Sequence, residues 1–89
     1  MPLPLPPLHF LFLAYLILIG PATADELHHA FDATDPAARS AHRWALADLQ
    51  LALLIAFDED TALHRPTPRG TNAFYAARLA ALTSTHETA

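Results

Sequence analysis

Between Phe10 and Ala22 the chain carries no charged side chain. Any fold must therefore bury this run, place it in a membrane, or discard it. Gly20 and Pro21 break a helix at the end of the run, and Ala22-Thr23-Ala24 follows with small residues at its first and third places. Apolar core, helix breaker and A-x-A in that order match a secretory signal peptide cut between Ala24 and Asp25. A helix over the apolar residues spans about 20 Å, against a hydrocarbon core of about 30 Å, so it is too short to cross a bilayer alone.

The segment before it departs from the signal pattern. The stretch MPLPLPPLH holds no Lys or Arg, and its prolines at positions 2, 4, 6 and 7 favour an extended polyproline-like run. A retained membrane anchor over residues 3–22 would combine this run with the helix. Extended backbone is tolerated in lipid only when protein covers it, so an anchor implies a complex. Export with cleavage is the first expectation, retention in a membrane the second, and burial as a core helix the third.

Composition points to helix. Val and Cys are absent, and Ile occurs only at positions 17, 19 and 55, while Ala and Leu dominate. Ala and Leu lose little on entering a helix, whereas β-branched residues suit a pleated surface. Without Cys there is no disulfide framework and no thiolate metal site. All five basic residues are Arg, with no basic stripe, and the net charge is −4, which argues against nucleic acid as a partner. The expected fold class is all-α: an N-terminal hydrophobic segment (residues 1–24, signal peptide or anchor) followed by a small three-helix bundle-like domain over 25–85, with a tail at 86–89.

Three helices are expected in that domain, at about 24–31, 36–57 and 73–83. Thr23-Ala-Asp-Glu26 has the capping-box pattern. Asp35-Pro36 joins a good N-cap to a proline at the first helical position. Beyond it, Leu46, Leu49, Leu53 and Phe57 line one face of a helix, and Trp44, Leu51, Leu54 and Ile55 line nearly the opposite face. A helix apolar on two sides is buried on two sides or has a partner. Asp58, Glu59 and Asp60 suit a helix C-terminus badly, so the helix either stops before them or runs to His64. Pro66, Pro68 and Gly70 are expected to form a loop, with Asn72 capping the last helix.

Six His invite a metal reading. In DELHHAFD, Asp25 with His29 and His28 with Asp32 stand at i and i+4 on a helix, a spacing that would hold Zn²⁺ or Cu²⁺ weakly. The alternative for the same residues is a solvated polar turn. The acidic stretch DEDT lacks the alternation of a calcium loop. No nucleophile elbow, Gly-rich phosphate loop or H-E-x-x-H occurs, so catalysis is not expected. Trp44 is expected to be buried in the bundle or to anchor an interface with Leu51, Leu54 and Ile55.

The 65 residues after a cut at Ala24 would bury only about 60% of their unfolded surface, which is marginal for a lone domain. Three functional expectations follow. The first is an exported helical protein, periplasmic or extracellular, that acts by binding a protein partner or a second copy of itself. The second is an accessory subunit of a membrane complex. The third is a periplasmic metal binder using His28 and His29.

Overall fold

A computed structural model describes residues 5–87. The described chain runs α1 (Pro7–Leu18), α2 (Ala24–Ala30), α3 (Pro36–Leu51), β1 (Ile55–Asp58), β2 (Leu63–Pro66) and α4 (Pro68–Glu87). The expected all-α fold, an N-terminal hydrophobic signal or anchor followed by a three-helix domain, is therefore corrected: among the described residues there are four helices and a two-stranded antiparallel sheet.

The apolar segment is α1, and it is the centre of the core rather than an appendage. Phe12, Leu13 and Leu16 are fully buried and cluster with Leu27 of α2, Ala45, Leu46 and Leu49 of α3, Leu54, Ile55 and Phe74. The Phe10 ring stacks on Phe74 at 5.2 Å, which ties α1 to α4, and His9 Nε2 meets Asp48 Oδ2 at 3.0 Å, which ties it to α3. An all-round apolar helix belongs in a core when neighbours cover several of its sides. Here α3, α4 and β2 all pack on it. Among the described residues no helix is long and apolar enough to cross a membrane. Residues 1–4 of the expected leader lie outside the described residues.

Both expected caps at α2 and α3 form. Thr23 accepts from the Glu26 backbone N–H while Glu26 accepts from that of Thr23. Asp35 Oδ1 accepts from the Ala38 N–H at 2.7 Å, with Pro36 in the first turn. Replacing Asp35 by Ala is expected to cost about 1 kcal/mol, read as a lower urea midpoint with an unchanged slope.

The boundary expected at Phe57 is wrong by two turns. Helix α3 stops at Leu51. Leu53 takes a left-handed φ of +61°, and the Leu54 N–H closes back on the Leu49 carbonyl at 2.9 Å. This reversal turns Leu54 and Ile55 into the core. The chain then pairs Ile55 with Pro66 and Phe57 with His64 in an antiparallel hairpin. The acidic run is its turn: Asp58 Oδ1 accepts from the Asp60 N–H at 3.0 Å, and Ala62 has φ +59°. Of the two fates expected for Asp58 to Asp60, the helix ending before them is the one observed.

Helix α4 starts earlier than expected, at Pro68 instead of Ala73. Thr67 and Pro68 repeat the device of Asp35 and Pro36: Thr67 Oγ1 accepts from the Gly70 N–H at 2.9 Å. The same hydroxyl donates to the Leu53 carbonyl at 2.7 Å, and the Thr67 N–H donates to Leu54 O at 3.1 Å. The start of α4 thus satisfies carbonyls left open where α3 ends, a link that local pattern alone does not reveal. The expected tail at 86–89 begins inside α4, which continues to Glu87, and its last two residues lie outside the described set.

Candidate functional site

The four metal candidates lie on or beside α2. Asp25, His28, His29 and Asp32, together with Arg39, line an open recess of about 400 Å³. The expected i and i+4 pair of His28 with Asp32 requires a helix through Asp32. Helix α2 ends at Ala30, and Asp32 is left-handed at φ +53°. Among the described residues no three His, Cys, Asp or Glu side chains gather as a group able to hold a metal ion. We therefore assign no metal ligands.

The partner of His28 lies elsewhere. Its Nδ1 stands 2.9 Å from Nδ1 of His42 on α3. His42 is only 5% exposed, with the Phe12 ring edge-on at 4.7 Å and Phe31 on another side. Burial, and secondarily the His28 ring beside it, hold the His42 pKa below the usual histidine value. The local pattern DELHHAFD singles out His28 and leaves His42 unmarked. The signal lay in register: His42, Ala45, Leu46 and Leu49 are the buried residues of α3, spaced as one helix face. A polar ring on an otherwise apolar stripe needs a buried partner.

His64 is the second buried histidine, also 5% exposed. Its backbone is bonded twice, to Ala22 N–H and Ala22 carbonyl, in an isolated bridge that joins the α1–α2 connection to the hairpin. Its ring packs at 4.9 Å on Phe57, its cross-strand neighbour, and its buried Nδ1 has no hydrogen-bond partner among the described residues. Burial lowers its pKa as well. Both rings bind protons less readily folded than unfolded. Their contribution to stability is therefore full above pH about 6.5 and is lost as pH falls through their lowered values.

The expected interface set divides in two. Leu54 and Ile55 belong to the core, because the reversal at Leu53 aims them inward. Trp44 is 71% exposed and Leu51 83% exposed. Both project from the outer side of α3, whose inner side carries the buried stripe. The expected burial of Trp44 fails because the buried stripe of His42, Ala45, Leu46 and Leu49 lies on the opposite side of α3. Beside Leu51, an open groove of about 610 Å³ is lined by Arg43, Leu46, Gln50 and His64 among others. Compared with known proteins, the chain matches no family model, no curated protein and no solved structure.

Proposed function

We propose that this protein acts by binding a protein partner, through the outer face of α3, and not by catalysis. The observation that supports this is the position of its single Trp. Trp44 and Leu51 stand two turns apart on the outer side of α3, both largely exposed, about 10 Å from each other along the axis. An indole in water gains much by entering a partner's pocket, which is why Trp anchors recur at interfaces. Arg43 and Gln50 beside them offer a polar rim.

The acting species in this proposal is the uncut chain. Cleavage between Ala24 and Asp25 would remove α1, and with it Phe12, Leu13 and Leu16 from the core. Export with cleavage and the folded state described above are alternative fates of one segment. Intact mass of the natively produced protein separates them: a loss of residues 1–24 contradicts the proposal.

The double variant Trp44→Ala with Leu51→Ala is expected to keep its stability within about 0.5 kcal/mol, as exposed substitutions do. It is expected to lose the species that cross-links to wild-type protein in native extracts. Sedimentation of the purified chain distinguishes a foreign partner from a second copy. Wild-type protein that neither cross-links nor self-associates, and that the variant matches in every respect, removes the proposal.

A further inference from the structure

We propose that the contact between His28 and His42 is a pH-operated latch, which holds α2 on α3 while one proton lies between the two rings and releases it when both rings are cations. The geometry defines the proton count. The Nδ1 atoms are 2.9 Å apart, the ring centroids are 4.9 Å apart, and the planes differ by 24°. The nitrogens therefore lie between the centroids, and the rings meet edge to edge with their Nδ1 positions facing. A neutral imidazole carries its proton on one nitrogen and accepts on the other. One ring donates from Nδ1, and the other accepts at Nδ1 and keeps its own proton on Nε2.

One added proton leaves this link intact, because a cationic ring still donates to a neutral one. A second added proton leaves two N–H groups facing each other with no acceptor between them. The surroundings oppose that state. On the α1 side His42 meets the Phe12 ring, and Phe31 closes another side. Tyr15, the titratable group α1 brings nearby, sits beyond Phe31. On α3, Arg39 lines the recess and Arg43 follows His42 directly, both positive. On the α2 side Asp25, His29 and Asp32 line the recess. Burial and the His28 ring push the His42 pKa down. The latch is therefore at full strength above pH about 6.5 and is lost as pH falls through the lowered His42 value.

Release is local because α2 has only seven residues, too few to be a stable helix by itself. Upstream the chain is pinned by the Ala22–His64 bridge. Downstream it leaves the helix at Asp32 in a left-handed turn. Between these points α2 depends on Leu27, Phe31 and the latch.

The test uses the full-length protein with a chelator present. Amide exchange protection is measured from pH 7.5 to 5 for Leu27, Phe31 and Ala33, whose N–H groups bond to Thr23, Leu27 and His28 carbonyls, against Leu54 and Thr67 outside the segment. Protection of the first three is expected to fall severalfold relative to the other two. At pH 7.5, ring nitrogen NMR is expected to find one histidine of the pair protonated at Nδ1 and the other at Nε2. His42→Phe and, independently, His28→Asn are each expected to flatten the relative response, so either suffices if the other fails to fold. Three results overturn the proposal: α2 amides tracking Leu54 and Thr67 throughout, a response that survives both substitutions, or both rings in one tautomer. A response driven by titration of His64, which acts on α2 through the Ala22 bridge, would survive both substitutions and counts as the second of these.

Discussion

A chain that begins at Asp25 is expected to have no cooperative unfolding transition. Its far-ultraviolet circular dichroism should decline gradually with temperature, and its near-ultraviolet signal should be flat. Residues 1–24 supply Phe12, Leu13 and Leu16, all fully buried, and Ala22, whose backbone carries the bridge to His64. Losing a buried Leu or Phe side chain costs roughly 2–5 kcal/mol. Three such losses rival the whole stability of a small domain, about 5–15 kcal/mol. The remaining helices would also expose Leu27, Leu46, Leu49 and Phe74, which now pack around α1. The uncut chain, prepared in parallel, should unfold in one sharp step. A sharp transition in the shortened chain would mean that the core assembles without α1, and that the packing described here is not what holds the fold together.

The second large effect is expected at Gly70. This position lies in the first turn of α4, where Ala would ordinarily be better than Gly by about 1 kcal/mol. A Cβ built there, however, runs into the Leu54 carbonyl oxygen and stands only 2.8 Å from its carbon and 3.2 Å from the Leu54 Cα. Those are backbone atoms held by the reversal at the end of α3, so no rotamer change relieves the contact. Overpacking typically costs about 1–3 kcal/mol, occasionally more, and here it exceeds the propensity gain. Gly70→Ala is therefore expected to destabilise by about 2 kcal/mol, the upper overpacking cost less the propensity gain, read as a lower urea midpoint. Asn72→Ala, two residues on and exposed, is the control, expected within about 0.5 kcal/mol of wild type. A Gly70→Ala protein more stable than wild type would show that α4 does not pass this close to the hairpin.

Both effects arise at places where local pattern and global packing disagree, and the same is true of what was legible in the chain. The caps at Thr23 and Asp35 were readable because a cap involves residues three apart. Thr67-Pro68 carried the same signature, but Gly70 beside it read as a loop residue. Its reason is the close approach of Leu54, sixteen positions earlier. The stretch from Leu51 to Phe57 is apolar at every position, and such a short run does not distinguish helix from buried strand by periodicity. What divides it at Leu53 is the opportunity for Ile55 to Asp58 to pair with Leu63 to Pro66, a gain outside the reach of any single-segment pattern. The candidate site has the same character. His28 was singled out for its neighbours in sequence, whereas its actual partner, His42, is fourteen residues away on another helix.

By itself the sequence determined the helical majority, through its Ala and Leu content and the absence of Val. It determined where two helices start, through side chains that satisfy their own backbone. It also determined that an uncharged run near the N-terminus had to leave water. Only the tertiary structure decided where that run went, which side of α3 faces out, where the chain turns into a hairpin, and which two of six histidines meet. Caps and propensities act over three or four residues, so the chain carries them wherever it lies. Burial, strand pairing and the sharing of a proton between two rings depend on what comes near in space, and that is settled only when all the elements pack at once.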